Sequence, residues 1–309
     1  MLSLFWQSAL KTLEGKLERE LDERKFEEFS AEIEDDFDLE KIVSCGQCFR
    51  AKAFEGGACR FITGEEVIYI RKLQGNNFGV CCSEGSWKRV WMDYFDLRRS
   101  YRNIRQSADK GNGFVNAAME SGAGLRVLRQ DAWEMLITFI ISQRKNIPAI
   151  SRAVEGLSEK FGRKIITPFE TVYTFPAPEA LCKASEEELD ACGLGYRTAY
   201  VRDAAERVLA GTLNLDALAA YSDEELYAEL VKVHGVGKKV ANCVSLFGYG
   251  RVSRVPVDVW IDRAIQEDCQ GCDPFGDFGS EAGIIQQYVF YYKRNVRHPQ
   301  SLKGYDKRL

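Results

Sequence analysis

Residues 222–248 read SDEELYAELVKVHGVGKKVANCVSLFG, and this stretch decides how the second half of the chain folds. Ser222 is followed three residues later by Glu225, which is the pattern of a capping box and predicts the start of an amphipathic helix. That helix should run to about Lys232. A short glycine-containing turn follows, and a second helix is predicted from Lys238. The segment is therefore expected to be two helices joined by a tight turn.

The turn HGVG (234–237) has the composition of a phosphate-binding loop. Gly235 and Gly237 permit backbone conformations that other residues avoid, and they leave the amides of the next helical turn unobstructed. Those amides, with the positive end of the helix dipole, bind a phosphate well. We therefore expect a helix-hairpin-helix in which both glycines and Lys238 contact DNA backbone without reading its sequence. An ordinary αα-hairpin with a glycine turn is the alternative.

A lysine and an aspartate after this turn suggest a reaction site. Lys239 and Cys243 are one helical turn apart and therefore face the same side. Further along, the run VPVDVW (255–260) places Asp258 at the start of the next predicted helix. A carboxylate there can accept bonds from backbone amides and remain ionised. The alternatives are a surface phosphate contact for Lys239 and a plain helix cap for Asp258.

The composition is that of a globular protein. The chain has 309 residues, of which 45% are hydrophobic and 28% charged, enough for one large domain or two ordinary ones. No apolar run reaches about 18 residues, so a membrane span is not expected. The N-terminus lacks a charged region before its apolar stretch, so a secretory signal is not expected either. We expect a cytoplasmic protein.

The charge is unevenly distributed. Residues 1–40 hold 13 acidic and 5 basic side chains, whereas the whole chain has 46 acidic and 42 basic ones. An acidic N-terminal segment therefore masks a mildly basic body, which is compatible with a DNA-binding face.

The ten cysteines include two CxxC pairs, Cys45 with Cys48 and Cys269 with Cys272. The pairs are far apart in sequence and no local knuckle surrounds them, so reduced thiols are favoured over a zinc site. With only His234 and His298, a histidine-based metal site is not expected.

The pattern of residues changes along the chain. Residues 1–29 form a predicted helical extension, because Leu13, Leu17 and Leu21 are four apart. Segments rich in β-branched and aromatic residues, with glycine turns between them, predict an antiparallel sheet domain over 30–115. Amphipathic and capped segments then predict a helical domain over 116–309. The expected fold class is α+β.

The hairpin, Lys239 and the VPVD run with its spacing resemble the helix-hairpin-helix DNA glycosylases. That superfamily is named for its hairpin and for a Gly/Pro-rich loop that ends in aspartate. Lys239 matches the lysine of bifunctional members, which glycosylases for alkylated bases generally lack. The resemblance implies that Lys239 forms a Schiff base at C1′ and that Asp258 stabilises the positive charge on the sugar. It also implies a TATA-binding-protein-like sheet domain.

Further segments resemble the 8-oxoguanine branch of this superfamily. In CGQCFR (45–50), the Gly46 carbonyl would accept a hydrogen bond from N7–H, a proton that 8-oxoguanine has and guanine lacks. In GIIQQYVFYY (283–292), Gln286 would bond the base edge, and Phe290 would stack on one face of the base with Cys243 on the other. The structural alternative for Gly46 is a glycine that a turn requires, and the alternative for residues 283–292 is an ordinary amphipathic core helix. The resemblance implies that the base is flipped out of the duplex.

Two more segments are expected to contact DNA by resemblance. In GLGYR (193–197), Tyr196 would wedge into the vacated stack and Arg197 would contact the orphaned base, the alternative being a helix-capping turn. In SQRKNI (142–147), the expected DNA contacts are Arg144, Lys145 and Asn146.

Three positions depart from the mammalian pattern. Arg144 replaces an asparagine that fills the gap left by the flipped base, Ala149 replaces an arginine that helps to recognise cytosine, and Trp260 replaces a histidine that contacts phosphate. The departures suggest a bacterial or archaeal type of enzyme with relaxed opposite-base preference.

Together these features predict a monomeric, nucleoid-associated DNA glycosylase and AP lyase for 8-oxoguanine, acting on damaged double-stranded DNA. No cofactor is expected. By resemblance, a structural ion is expected on the carbonyls of Val231, Val233 and Val236. A glycosylase for alkylated bases and a non-catalytic DNA-binding module are the alternatives.

Overall fold

The computed structural model describes residues 25–108 and 111–297. The predicted helix of the N-terminal extension lies almost wholly outside this part, as does His298. Residues 28 and 29, which are described, belong to a strand rather than to a helix. None of the helices in the described part has the length and apolar character needed to cross a membrane.

The first part of the described chain forms a five-stranded sheet whose neighbouring strands are all antiparallel. Its strands are β1 Glu28–Glu32, β2 Lys52–Ala53, β3 Ala58–Thr63, β4 Glu66–Lys72 and β5 Asn77–Cys81. They lie in the order β1-β5-β4-β3-β2. Thr63 pairs with Glu66 across a two-residue turn in which Gly64 has a φ of 56°, a conformation that favours glycine.

The sheet is covered on both faces. Successive residues of a strand point to opposite faces, so Ile68 and Ile70 pack with the helices around Trp91, whereas Val67 and Tyr69 face the other way. A hairpin of two short strands, β6 Lys164–Ile166 and β7 Thr171–Tyr173, covers that second face. The Tyr69 hydroxyl lies 2.8 Å from Oγ1 of Thr167, within hydrogen-bond distance. Because both faces are covered, β3 is buried along nearly its whole length, including the side chain of Arg60.

The remainder of the described chain is mostly helical, and the predicted α+β fold class is confirmed. Capping boxes begin two of the helices, one at Ser185 and the other at Ser222, where it was predicted. The α-helices are Leu39–Ser44, Glu84–Ser86, Met92–Tyr94, Tyr101–Ser107, Gly113–Ser121, Ala132–Ile141, Ile147–Phe161, Pro178–Lys183, Glu186–Ala191, Thr198–Leu209, Leu215–Leu218, Asp223–Leu230, Lys238–Tyr249, Val259–Arg263 and Ala282–Tyr291. Shorter 3₁₀ and π-helical segments occupy Trp87–Trp91, Gly195–Arg197, Ala264–Asp268, Gly276–Glu281 and Tyr292–Val296.

The two predicted helices of residues 222–248 are present as Asp223–Leu230 and Lys238–Tyr249. The second of these packs against Ala132–Ile141, an apolar helix that forms the centre of the helical core. The helix Lys238–Tyr249 ends at Gly250, whose φ of 64° lies in the left-handed region. The hairpin is therefore fixed to the core by its second helix, and the turn at residues 231–237 precedes that helix.

A buried network of charges joins the sheet to the helices. The Arg50 guanidinium donates to Glu134 Oε2 at 3.4 Å and to the carbonyl of Tyr173. The Arg60 guanidinium donates to the Arg50 carbonyl at 3.1 Å and to Glu155 at 3.2 Å. Because these partners belong to both halves of the fold, the loop after Leu39–Ser44 is tied to the helical half.

Candidate active site

A cavity of about 480 Å³ lies where the loop at residues 45–50 meets the helical core. Its walls come from four separate parts of the chain, which are brought together only by the fold. The predicted catalytic and base-contacting residues that line it are Gly46, Lys239, Cys243, Asp258, Gln286 and Phe290. The segment 142–148 lines it as well and includes Arg144, Lys145 and Asn146. The expected convergence of these residues is therefore present, whereas their individual roles stay predictions.

Lys239 lies at the start of the helix Lys238–Tyr249 and extends into the cavity. Its amine donates to the Ser142 hydroxyl at 3.2 Å and lies 5.0 Å from the centre of the Phe139 ring. The Ser142 hydroxyl itself donates to the Phe139 carbonyl at 2.8 Å. Since that donor is engaged, the Ser142 oxygen faces the amine as an acceptor, which holds the lysine in one direction.

Asp258 caps the next helix with the carboxylate oxygen Oδ1. This oxygen accepts hydrogen bonds from the amides of Trp260 and Ile261, each at 3.0 Å. Burial raises the pKa of Asp258, while the Ile261 amide, the positive charge of Lys239 and the Trp260 amide oppose the rise. The carboxylate is thus a helix cap, as the alternative interpretation had it, and also a group that interacts electrostatically with Lys239 inside the cavity.

Cys243 lies one turn after Lys239 and is buried in the cavity wall. Burial raises the pKa of its thiol to about 11, against the opposing influence of the Lys239 charge. At neutral pH the thiol is therefore protonated, and its sulfur presents a polarisable, uncharged surface toward the cavity.

Gly46 forms the opposite wall in a conformation that favours glycine, with a φ of 77°. A Cβ atom at this position would lie 2.7 Å from Cδ1 of Ile147 and 3.4 Å from Cε1 of Phe290. The neighbouring Gln47 anchors the loop, because its side-chain oxygen accepts from the Leu128 amide at 2.8 Å. Its side-chain nitrogen donates to the Arg126 carbonyl at 2.6 Å. The glycine is favoured both by its backbone conformation and by the close approach of the Ile147 side chain.

The helix Ala282–Tyr291 supplies the rest of this wall. Gln286 and Phe290 are one turn apart and both buried, at 2% and 9% exposure. Gln287, which also lines the cavity, donates from its side-chain nitrogen to the side-chain oxygen of Gln286 at 2.8 Å.

The hairpin turn is packed closely against its surroundings. Gly235 has a φ of 81°, and a Cβ atom there would lie 2.4 Å from the Tyr200 ring. Its carbonyl accepts from the Gln143 side chain at 3.0 Å. Gly237 is exposed and caps the second helix with no side chain above it, and Lys238 is exposed beside it. The first amides of this helix are therefore open to a ligand such as phosphate.

In the second glycine turn, residues 193–197, the two predicted DNA contacts differ in exposure. Tyr196 is 54% exposed, whereas Arg197 is 6% exposed and donates to the carbonyls of Gln143 and Leu194. The Arg197 guanidinium also lies 4.3 Å from the centre of the Tyr196 ring. The aromatic ring is available as a wedge, while the arginine holds the turn against residue 143. Its contact with an orphaned base remains a prediction.

The segment 142–147 is also held by internal bonds. Asn146 caps the helix Ile147–Phe161 by accepting from the Ala149 amide at 2.9 Å. The Lys145 amine donates to the Gly193 carbonyl at 2.7 Å, and desolvation followed by the charges of Arg197 and Arg152 lowers its pKa. Arg144 occupies the left-handed region with a φ of 53°. This backbone conformation is unusual for an arginine and marks a constrained position at the cavity rim.

Metal-binding features in the described residues are few. In residues 25–108 and 111–297, no three His, Cys, Asp or Glu side chains form a group suited to a metal ion. All ten cysteines are free. The carbonyl of Val233 accepts a hydrogen bond from the Val236 amide at 3.0 Å. The structural ion expected on the carbonyls of Val231, Val233 and Val236 stays a prediction.

Several residues of the cavity were not identified from the sequence. They include Phe139, Ser142, Ile147 and Gln287. Phe139 and Ile147 look like ordinary core residues in the sequence, and only the fold shows which face they present. The sequence did contain an indication of Gln287, because two adjacent glutamines interrupt an otherwise apolar helix.

Comparisons with known proteins agree with this geometry. Residues 31–136 match the model of the 8-oxoguanine DNA glycosylase N-terminal domain, and residues 137–273 match that of the HhH-GPD superfamily base excision DNA repair proteins. A Saccharomyces cerevisiae N-glycosylase/DNA lyase is 33% identical over 261 residues, which cover 75% of this chain and 68% of that protein.

Two solved structures have the same fold at higher coverage. The 8-oxoguanine glycosylase/lyase of Clostridium acetobutylicum, bound to double-stranded DNA with cytosine opposite 8-oxoG, is 34% identical with a TM-score of 0.80. MBOgg1 in complex with a low-affinity DNA ligand is 34% identical with a TM-score of 0.82. Each comparison covers 88% of this chain and 99% of the other. The chain therefore belongs to the 8-oxoguanine DNA glycosylase branch of the HhH-GPD superfamily of base excision DNA repair proteins.

Proposed function

We propose that this protein removes 8-oxoguanine from duplex DNA and then cleaves the strand at the resulting abasic site. The observation that carries the proposal is the convergence of Lys239, Asp258 and Gly46 on one cavity, although they come from distant parts of the sequence. The related yeast protein is named an N-glycosylase/DNA lyase, and the clostridial structure is a glycosylase/lyase bound to 8-oxoG-containing DNA.

The substrate base reaches the cavity by leaving the helical stack, which costs a few kcal/mol. Inside, the Gly46 carbonyl accepts the N7–H hydrogen bond that distinguishes 8-oxoguanine from guanine. The Phe290 ring and the Cys243 sulfur cover the two faces of the base. The neutral state of the thiol suits this position, because an uncharged, polarisable sulfur packs well against an aromatic ring.

The reaction needs a nucleophile and a stabiliser for positive charge on the sugar. The Lys239 amine, in its neutral form, bonds to C1′ while the C1′–N9 bond breaks and its electron pair leaves with the base, which takes up a proton. The Asp258 carboxylate stabilises the charge that develops on the sugar. The C1′–O4′ bond of this adduct then breaks, O4′ takes up the proton that the nitrogen releases, and the C1′–N bond becomes a protonated Schiff base. Loss of a C2′ proton and departure of the 3′ phosphate follow, which cuts the strand by β-elimination.

The hairpin holds the DNA around this cavity. The open amides at Gly237 and Lys238 bind a backbone phosphate, with Gly235 shaping the turn. Tyr196 inserts beside the vacated position, while Arg144, Lys145, Asn146 and Arg197 contact the DNA around the gap. We expect it to act as a monomer, since one chain supplies the whole cavity and the site needs no second copy. We place it in the cytoplasm, at the nucleoid, where its substrate lies.

Opposite-base preference is expected to be relaxed. Arg144 stands at the cavity rim in a constrained backbone conformation, and Ala149 lies on the first turn of the helix that follows. An alanine side chain offers no hydrogen-bond donor to a base edge. Excision of 8-oxoguanine placed opposite each of the four bases should therefore differ little, and a strong preference for cytosine would contradict this part of the proposal.

Two alternatives have less support. A glycosylase for alkylated bases does not require the amine at position 239, and it has no use for the Gly46 carbonyl in recognition of N7–H. A non-catalytic DNA-binding module requires the hairpin alone and leaves the electrostatic interaction of Lys239 with Asp258 in the cavity without a purpose.

Borohydride trapping on a duplex that contains 8-oxoguanine tests the proposal. Wild type should form a covalent protein–DNA adduct, and Lys239→Gln should form none, because the trapped imine requires the amine. The matched control is Lys232→Gln, which removes an exposed lysine of the same hairpin that pairs with Glu229. That control should trap as wild type does, and an adduct of wild-type yield in Lys239→Gln would refute the assignment.

A further inference from the structure

Arg294 is a buried cation in the wall of the cavity to which the proposed reaction gives no part. The residue is 4% exposed, lines the cavity and follows Phe290 by four positions. Burying a guanidinium is costly unless partners compensate its charge. The buried charge therefore needs partners, and the fold provides them.

Two segments of the chain hold the Arg294 guanidinium in place. Its Nη1 atom donates to the Ser44 carbonyl at 3.1 Å and to Oδ1 of Asn295 at 3.0 Å. The Asn295 side-chain nitrogen donates to the same Ser44 carbonyl at 3.3 Å. Because Ser44 ends the helix Leu39–Ser44, its carbonyl lies at the negative end of the helix dipole, where a cation is stabilised. Arg294 is therefore fixed against the start of the loop at residues 45–50.

Asp258 lines the same cavity and interacts electrostatically with Arg294. Burial raises the pKa of Asp258, and among the side chains first Lys239 and then Arg294 oppose this rise. Cys243, which also lines the cavity, is protonated at neutral pH and adds no charge. Within the described chain, the other charged side chains of the cavity lining are Arg144 and Lys145.

The reaction changes the charge beside Asp258. Under the proposed function, on which this inference rests, Lys239 attacks C1′ as a neutral amine, so its positive charge is absent as the carboxylate begins to stabilise the sugar. A guanidinium keeps its proton throughout the working pH range of an enzyme. The neighbouring Lys293 is less suited to this part, because two carboxylates already pair with it. Arg294 therefore supplies positive charge that does not vary with the state of Lys239.

We propose that Arg294 is a positioning residue whose permanent charge keeps Asp258 ionised while Lys239 is neutral. The bonds to Ser44 and Asn295 hold this charge at a constant place in the cavity wall. Arg294 acts through Asp258 rather than on the base. Its loss should therefore change how excision depends on pH, an effect that a purely structural residue would not have.

Two substitutions separate the charge of Arg294 from its bond to Ser44. Arg294→Gln removes the charge and keeps a side-chain donor, whereas Arg294→Lys keeps both the donor and the charge. Arg297→Gln is the matched control, because Arg297 lies three residues further on and its side chain is 51% exposed. The measurement is the single-turnover rate of 8-oxoguanine excision against pH.

Arg294→Gln should move the acid limb of the excision profile to higher pH. Without the opposing charge, burial raises the pKa of Asp258 further. On that limb the rate should fall by roughly threefold to tenfold. Arg294→Lys and Arg297→Gln should keep the wild-type limb. An unmoved limb in Arg294→Gln, or a limb that moves as far in Arg294→Lys, overturns the proposal.

A second measurement repeats Arg294→Gln in Asp258→Asn protein, where no carboxylate remains to be ionised. The substitution should slow excision there by less than about twofold, because its effect passes through the missing charge. Equal slowing in both backgrounds would show that Arg294 acts on the structure alone, and it would overturn the proposal. Failure of wild type to excise 8-oxoguanine at any pH would instead refute the proposed function itself.

Discussion

The side of the cavity with Lys239 and Asp258 differs from the side with Gly46 and Gln286 in how its residues are held. Lys239 is on a long helix, and Asp258 is fixed by two bonds to backbone amides at a helix start. Gly46 instead lies in a loop that depends on bonds from Gln47 to distant segments. We name the first the chemical side and the second the recognition side. The chemical side is held by local structure, whereas the recognition side is held by contacts across the fold.

This difference leads to separable effects of mutation. Changes on the chemical side should reduce base removal and strand cleavage together, because both steps use the same sugar carbon. Changes on the recognition side should reduce removal of the base and spare the cleavage of DNA that already lacks it.

The largest effect that sharpens this comparison is expected for Asp258→Asn. Asparagine keeps the amide cap through its oxygen but removes the negative charge, so excision should fall by about 10² to 10³. Burial raises the pKa of Asp258, and in wild type the acid limb of the excision profile should accordingly lie above the ordinary aspartate range. The limb should disappear in the variant. Single-turnover rates against pH provide the measurement, and wild-type rates in Asp258→Asn would rule out an electrostatic role.

An intermediate effect is expected for Gly46→Ala on the recognition side. The added methyl would meet Ile147 at 2.7 Å, and the φ of 77° is strained for alanine, at about 1–3 kcal/mol. Excision of 8-oxoguanine should fall by roughly 10- to 100-fold, while cleavage of an abasic duplex should change by less than about threefold. Gly57→Ala is the matched control, because Gly57 has a φ of 80° and open space around it. Parallel loss of both activities in Gly46→Ala would erase the distinction between the two sides.

The smallest effect concerns Glu134, which pairs with Arg50 beneath the recognition loop. Burial raises the pKa of Glu134 to about 7, so the native state binds a proton that the unfolded state has released. The stabilising contribution of Glu134 is therefore lost as pH rises from the ordinary glutamate range through about 7. Glu134→Gln should flatten the pH dependence of the unfolding free energy by about 2 kcal/mol between pH 5 and 8. Urea melts at several pH values measure this, and curves of identical slope in both proteins would contradict it.

The chemical side could be predicted well from the sequence. Lys239 and Asp258 belong to short motifs whose local structure the flanking residues determine, namely a glycine turn and a helix cap. The hairpin, its capping box at Ser222 and the α+β fold class were predictable for the same reason.

The recognition side was less accessible to sequence reasoning. Gly46 and Gln286 were found only through resemblance, since a glycine in a turn and a glutamine in a helix have many ordinary uses. The bonds of Gln47 and Arg50 join residues about 80 or more positions apart, and no local pattern predicts such pairs. The short strands at 164–166 and 171–173 were missed because three residues are too few to show alternation.

The close packing of the hairpin turn has a consequence for affinity. Gly235 rests against the Tyr200 ring and accepts a bond from Gln143, so the turn is rigid before any ligand arrives. Binding a phosphate there requires little loss of conformational entropy, and more of the attraction of the amides is expressed as binding free energy. A protein that searches long stretches of undamaged duplex benefits from a phosphate-binding turn that is already ordered and that does not depend on the base sequence.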